Sequence, residues 1–384
     1  MERQIDKKLK DHFEKYGLVL VLSGPRQVGK TTVLKRLFPD AKYFLLDEER
    51  LRKVFETFDS LVYKQNFGGS DFIVLDEVHL LSNPGRAVKI IHDLMPEKKV
   101  IITGSSALNI KNKTAESLAG RKIEYKMWPL TVSEYFYQTE VEEEMNFDVI
   151  ENILGNKEMR VRLFNLKEMT KHLLVYGNYP FLVNNSTDQI YLRSLSESVI
   201  FKDIVDLHLI ENKKVAGDML KLLAFQVGNM VNYAEIASKL SVDVRTIQKY
   251  IEIFEQSYIL FRVYPLMGNK RQEIIKRPKI YFYDNGIRNG LINNFVDVDN
   301  RADKGALFEN FVVSEVMKVN SYGDYGFEMN FWRTKDGSEV DLVLSRHGEM
   351  YACEIKFDKG SVSKAFTNRY PEAKTRVITA ENYY

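Results

Sequence analysis

Cysteine is almost missing from this sequence, Cys353 being the single one among 384 residues. No internal disulfide can form, so the fold must rest on buried apolar surface, and a disulfide-stapled secreted scaffold is excluded. Charge of one sign is missing too. Fifty-five Lys and Arg stand against 53 Asp and Glu, a formal net charge of +2. The whole chain therefore carries no polyanion-binding signature, and any nucleic-acid contact has to come from a local basic patch. Long hydrophobic runs are absent. Leu18 to Leu22 and Phe72 to Leu75 are typical of the longest, far short of the roughly 20 residues that a spanning helix needs. The opening MERQIDKKLKDHFEKYG has no apolar signal-peptide core, so the expectation is a cytoplasmic protein with no membrane partner. Neither an internal repeat nor a low-complexity linker interrupts the chain.

What is present is ample material for folding. Hydrophobic residues make up 45%, aromatic residues 12% and charged residues 28%, the composition of a globular protein. A single core stops growing at roughly 250 to 300 residues, so several domains are expected. Apolar runs with strand character occur at LVLVLS (18–23), YFLLD (43–47), FIVLD (72–76) and VIITG (100–104), with helix-length segments between them. That alternation predicts α/β architecture with a parallel sheet covered by helices. From about 150 to 225 the pattern is helical, and NYAEIASKLSVDVRTIQKYIEIFE (232–255) reads as two helices around a turn at Ser241 to Asp243. Two strand-like runs, YILFRVYPL and KIYFYD, follow, joined by a basic segment, the pattern of a winged helix. From about 301 the order is helix, three strands, helix, strand. The expected domains are 1–150, 151–225, 226–298 and 299–384.

Gly24-Pro25-Arg26-Gln27-Val28-Gly29-Lys30-Thr31 satisfies G-x-x-x-x-G-K-[ST], and it lies between a predicted strand and a predicted helix. The chemistry explains the residue types. Gly24 and Gly29 let the backbone wrap a phosphate, and the N–H groups of Gln27, Val28, Thr31 and Thr32 donate to its oxygens. Lys30 reaches the β- and γ-phosphates, and the Thr31 hydroxyl ligates Mg²⁺. FIVLDE supplies the complementary carboxylates at a strand's end: Asp76 for the metal shell and Glu77 to orient or deprotonate the attacking water. ATP and Mg²⁺ are thus the expected ligands. Ser105, or Ser106, stands where a hydroxyl could sense the γ-phosphate, though the same hydroxyls could equally cap the next helix. Arg121, beside Gly120, is a candidate arginine finger for its own site or a neighbouring subunit's.

Taken together, these segments resemble a known group. GPRQVGKTT (24–32), LDEVH (75–79), TGSSALN (103–109), ESLAGRKIEYKMWPLTVSEY (116–135), GNYPF (177–181), RPKIYFYDNGIRNGL (277–291) and the final EVDLV with EIK are similar to prokaryotic AAA+-type ATPases. These carry a C-terminal domain of unknown function related to the PD-(D/E)xK nuclease fold. The resemblance spans nearly the whole chain. It implies a P-loop NTPase core (1–150), a helical lid (151–225), a winged helix (226–298) and a PD-(D/E)xK-like α/β domain (299–384). Relatives commonly have glutamine where this chain has His79 and a glycine pair where it has Gly177-Asn178; no role is assigned to His79.

The last domain contains the residues that such a site requires. Glu309 lies in an apolar helix pattern, Asp341 in EVDLVL and Glu354 with Lys356 in YACEIKF. On a strand, residues 354 and 356 face the same side, and pairing through RHGEM brings Asp341 beside Glu354. The set matches the nuclease arrangement: Asp341, Glu354 and Glu309 as Mg²⁺ ligands, Lys356 activating water for attack on a phosphodiester. The alternative is a degenerate site whose charges form a salt bridge across the hairpin. Arg245, Lys249, Lys270, Arg271, Lys276 and Arg277 could contact DNA phosphates. Two functions follow as expectations. One is an ATPase coupled to DNA binding or processing, with a homo-oligomer among the candidate assemblies. The other is a nucleotide-gated protein-interaction switch with an inactive nuclease-like domain.

Overall fold

The computed structural model describes residues 1–104, 118–141, 145, 148–155, 166–205, 210–266 and 277–384, with the backbone alone at 199–205. Two compact units emerge. The first is Met1–Trp128 together with Gln256–Tyr258; the second is Pro129–Glu255 with Ile259–Tyr384.

The first unit is a parallel sheet in the order β2-β3-β4-β1-β5. Its strands are β1 (Val19–Ser23), β2 (Lys42–Leu45), β3 (Phe72–Asp76), β4 (Lys99–Gly104) and β5 (Lys122–Lys126). Strands β1, β3 and β4 read as near-continuous apolar runs because parallel strands are covered on both faces. Val19, Val21, Ile73, Leu75, Val100 and Ile102 share one core with Phe55, Tyr63, Phe67, Val88 and Ile91 from flanking helices. Each such side chain contributes about 1.5–3 kcal/mol by leaving water. Strand β5 was not foreseen. Its sequence KIEYK is half-buried throughout and alternates polar with apolar residues over five positions, and it pairs with β1. The sheet's parallel register puts every strand's C-terminal end on one edge, the edge where open α/β sheets bind ligands.

The second unit begins with helices, as the sequence pattern predicts. Thr131 opens Val132–Gln138 with a reciprocal capping box to Glu134, satisfying two backbone donors. Helices Leu166–Tyr176, Gln189–Val205 and Lys213–Phe225 follow. Gly177 ends the first of these at φ 74°, where a Cβ would lie 2.1 Å from an Asp284 carboxylate oxygen, so the tight turn stands on this one glycine. Helices Tyr233–Leu240 and Val244–Gln256 are separated by Ser241 in the left-handed region, matching the expected two-helix pattern.

Strands β6 (Leu260–Pro265) and β7 (Lys279–Phe282) pair antiparallel. They join β8 (Glu328–Arg333), β9 (Glu339–Arg346), β10 (Glu349–Ile355) and β11 (Lys374–Ile378) in a six-stranded sheet ordered β11-β10-β9-β8-β6-β7. The expected order holds from 304 onward: helix Lys304–Tyr322, three antiparallel strands, helix Lys364–Arg369, then β11 parallel to β10. His347 and Gly348, both at positive φ, make the tight turn between β9 and β10. Cys353 is buried in β10, and burial pushes its thiol up to about 12, so it serves as packing. Among the described residues no helix is long and apolar enough to cross a membrane.

Candidate functional site

The turn after β1 wraps as the glycine spacing requires. Gly24 has φ 149° and a Cβ there would lie 2.0 Å from the Met127 carbonyl oxygen, so no other residue fits. Gln27 and Gly29 are also at positive φ, curling successive backbone N–H groups toward one centre. Gly29 caps the helix Lys30–Leu37, whose N-terminus adds the favourable end of its dipole. Behind the loop, Arg3 donates to the carbonyls of Val28 at 2.8 Å and Trp128 at 2.7 Å. The buried Lys30 ammonium rests on the Gly24 and Pro25 carbonyl oxygens at 2.8 and 2.7 Å, directly over the loop. Val28 is buried, Thr31 half-buried, Gln27 and Thr32 exposed.

Asp76 ends β3 beside this loop. Its carboxylate accepts from the Thr31 hydroxyl at 2.8 Å, from Tyr43 Oη and Thr103 Oγ1, and from the Glu77 N–H at 3.1 Å. Tyr43 and Thr103 were not identified from sequence. They meet Asp76 because β2 and β4 flank β3, a neighbour relation that a linear reading does not contain. Ser105 and Ser106, and with them the sensor expectation, lie outside the described residues. From β4 it is Thr103 that reaches the acidic strand end.

Glu77 adopts left-handed backbone geometry, φ 56° and ψ 45°. Its Oε2 lies 3.2 Å from Nδ1 of the buried His79. Burial alone would raise this carboxyl, but the close approach of His79 and the charges of Lys30, His79 and Arg26 outweigh it and hold the group at about 2. Glu77 is thus ionised throughout the neutral range. His79, given no role from sequence, is its direct partner; the i, i+2 spacing across the short helix Val78–Leu80 brings them together.

Arg121 lies elsewhere. Its carbonyl accepts from Val19 N–H at the start of β1, whereas the P-loop follows the end of that strand. Five residues of strand, roughly 16 Å, separate the two edges, and the guanidinium pairs with Asp93 at 2.9 Å. A finger acting on the nucleotide of its own chain is therefore ruled out by reach.

In the second unit the antiparallel pairing of β9 and β10 brings Asp341 and Glu354 together. Lys356 bridges them at 2.8 and 2.9 Å, and Asp341 also accepts the Ile355 N–H at 2.8 Å. Glu309, from helix Lys304–Tyr322, accepts from Tyr281 Oη at 2.6 Å and from the buried Lys279 at 2.9 Å. Lys279 also pairs with Glu339 at 2.5 Å. Burial, with the Asp341 charge adding to it, pushes the Glu309 and Glu354 carboxyls above the usual range despite these lysines. Lys279, Tyr281 and Glu339 were not anticipated, because which helix packs on β7 and which strands lie beside it depend on the tertiary arrangement, helix Lys304–Tyr322 bonding β7 at Phe282 and β8 lying next to β6. Among the described residues no three carboxylate, cysteine or histidine side chains converge as a metal-ligand group; the expected Mg²⁺ ligands Asp341, Glu354 and Glu309 are instead paired with Lys356 and Lys279. Arg245 and Lys249 are exposed, as is Arg277, and Lys249 pairs with Glu211; Lys270, Arg271 and Lys276 lie outside the described residues.

Comparison with known proteins divides the chain in three. Residues 17–136 match an AAA domain, 167–297 a domain of unknown function and 304–382 a second domain of unknown function. An uncharacterized protein of Methanocaldococcus jannaschii is 25% identical, covering 94% of this chain and 79% of its own length. One of Haemophilus influenzae is 20% identical over 90% of this chain and 84% of its own. Among solved structures, a Walker-type ATPase of Pyrococcus abyssi is 14% identical with a TM-score of 0.47, covering 75% of this chain and 94% of that one. AMPPCP-bound DnaA from Aquifex aeolicus is 15% identical with a TM-score of 0.28, covering 66% of this chain and 87% of that one. The N-terminal unit carries an AAA-type, nucleotide-binding P-loop ATPase domain, on the AAA match together with the loop and strand order described above.

Proposed function

We propose that this chain is a Mg²⁺-dependent ATPase whose turnover is coupled to DNA binding and phosphodiester chemistry in the second unit. The observation that carries the ATPase half is the direct Thr31–Asp76 bond, made beside Lys30 at the ligand edge of the sheet. A hydroxyl and a carboxylate oxygen so arranged are the donor set that a small, hard divalent cation takes beside a nucleotide phosphate. When bound, Mg²⁺ would neutralise charge on the phosphate oxygens. The chain's own residues do the rest. Lys30 exchanges its carbonyl partners for β- and γ-phosphate oxygens, and the loop N–H groups hold the phosphate chain. Glu77, ionised at neutral pH, accepts a hydrogen bond from the attacking water and orients it. Arg121 belongs, on this reading, to a neighbouring copy's site in a homo-oligomer.

The DNA half rests on Asp341, Glu354 and Lys356 meeting across one hairpin, with Glu309 on the adjoining helix. The exposed Arg245 on the second helix of a helix-turn-helix pattern supports phosphate contact. We retain the division of the second unit into helical lid, winged helix and nuclease-like domain as part of this proposal. A specific observation favours the rival reading, an interaction switch with an inactive C-terminal domain. Both ammonium groups of the cluster, Lys279 and Lys356, are already paired with its carboxylates.

The test uses the full chain with Mg²⁺ or Mn²⁺ on single- and double-stranded DNA, with and without ATP. Metal-dependent cleavage that Asp341→Ala abolishes supports the nuclease reading. ATP hydrolysis without cleavage in any nucleotide state, and with no change in Asp341→Ala, supports the switch.

A further inference from the structure

The AAA domain leaves one buried, ring-bearing side chain beside its candidate base. His79 is 6% exposed, and its Nδ1 stands 3.2 Å from Glu77 Oε2. The Glu77 backbone at this point is left-handed, a conformation that side-chain-bearing residues rarely adopt. Such geometry persists only where the surroundings over-determine it. A carboxylate on a strand-end turn has two free side-chain torsions beyond χ1. If nothing held it, the oxygen facing the nucleotide would sample several rotamers, and the orientation of water would be lost with it.

We propose that His79 is a positioning residue for ATP hydrolysis: from its 3.2 Å ion-pair approach, Nδ1–H turns to donate to Glu77 in the nucleotide-loaded site and fixes the carboxylate in the rotamer that orients the attacking water. This rests on the ATPase reading above. The donated bond leaves the other carboxylate oxygen, Oε1, as the acceptor for water. The groups that face this carboxylate are Lys30 and Arg26 from the P-loop and its helix and His79 from its own turn, with Asp76 adjacent in sequence. The two cations are drawn toward phosphate when nucleotide binds, so the neutral-pH orientation of Glu77 in the loaded site falls to His79. Its role is geometric. What matters is one N–H in the right place, and a glutamine amide can supply the same donor.

The experiment measures steady-state phosphate release and, separately, binding of a fluorescent ATP analogue for wild type, His79→Ala, His79→Gln, Glu77→Gln and the double variant Glu77→Gln/His79→Ala. His79→Ala should lower kcat by about tenfold to a hundredfold, the cost of a misplaced catalytic group, with analogue affinity within about twofold of wild type. His79→Gln should restore most of the rate. In the Glu77→Gln background the alanine change should have no further effect, because two residues acting as one unit are not additive. A rate in His79→Ala equal to or above wild type, or an equal further loss on top of Glu77→Gln, would overturn the inference while leaving the ATPase reading intact. If wild type itself releases no phosphate, or Glu77→Gln hydrolyses at the wild-type rate, the ATPase reading fails and this inference fails with it. Thermal melting of His79→Gln beside wild type checks that the rescued variant retains the wild-type fold.

Discussion

The two charged sites of this chain handle their lysines in opposite ways. In the N-terminal unit Lys30 rests on two carbonyl oxygens of its own loop, and Asp76 draws three of its four described bonds from hydroxyls. In the second unit Lys279 and Lys356 each bridge two carboxylates. Lys30 also acts on Glu77 through its charge, but carbonyl dipoles are weak partners for an ammonium, and phosphate displaces them with a net gain. An ammonium already shared by two carboxylates gives up strong, partly buried pairs before it can serve another ligand. The first site is thus set to receive an anion. The second is self-neutralised, and on the proposed reading metal or DNA would have to open it.

The largest effect expected from this contrast is at Lys30. Replacing it with alanine should abolish tight binding of a fluorescent ATP analogue, because it removes the charge on the β- and γ-phosphates. Lys30→Ala that binds with unchanged affinity would break the comparison at its first term. Next is Lys279→Met. The lysine is 3% exposed, and its loss leaves Glu309 and Glu339 without their buried counter-charge, at a cost of about 3–5 kcal/mol. Lys356→Met should cost about 1 kcal/mol or less, since its side chain is 43% exposed and solvent screens it. Denaturant midpoints of the two variants decide the order; equal losses would mean that Lys279 is not the cluster's buried keystone.

How much of this was legible in the sequence follows the same division. The P-loop motif is local: its glycines, lysine and threonine do their work within eight consecutive residues, so spacing alone identifies them. The order of elements from 304 onward was also readable, because strands bounded by tight turns and apolar helices announce themselves. Partners that depend on which strands lie side by side were not readable. Tyr43 and Thr103 reach Asp76 only because β2 and β4 flank β3. Lys279 and Tyr281 meet Glu309 because helix Lys304–Tyr322 packs against β7, where Asn310 bonds both backbone polar groups of Phe282. Strand β5 was legible and passed over: KIEYK alternates polar and apolar residues, the pattern of a half-buried strand, but over five residues only. His79 was visible as a residue and overlooked, since the turn that aims it at Glu77 carries no composition signal.

Proton linkage sharpens the contrast between the units. Glu77 is held at about 2, below its unfolded value near 4.5, so its contribution is present above that value and is lost as pH falls toward 2. Glu315, fully buried in the second unit, accepts the Val132 N–H at 2.7 Å. Burial raises it to about 7, with Lys318 opposing and Glu134 and Asp148 adding to the shift. Here the sign reverses: stability is fully present below about 4.5 and declines as pH rises through 7. Glu315→Gln should therefore gain stability over wild type at pH 8 by on the order of 1–3 kcal/mol, and lose that advantage by pH 5. Chemical denaturation across this range checks it; a pH-independent difference would contradict the buried-acid account. The smallest effect is at Tyr258, whose hydroxyl donates to Ser23 at 2.9 Å, the residue before the first P-loop glycine. Tyr258→Phe should cost about 1 kcal/mol and leave the ATP analogue's affinity within about twofold.

The central claim of the proposed function is that the N-terminal site hydrolyses ATP through Glu77, with Thr31 and Asp76 as the residues that would hold Mg²⁺. Phosphate release by the full chain under saturating ATP, with Mg²⁺ and then with excess EDTA, for wild type and Glu77→Gln, tests it most directly. The account predicts turnover only in wild type with Mg²⁺, while Glu77→Gln still binds the nucleotide analogue. Turnover that survives EDTA, or that is equal in Glu77→Gln, would contradict it.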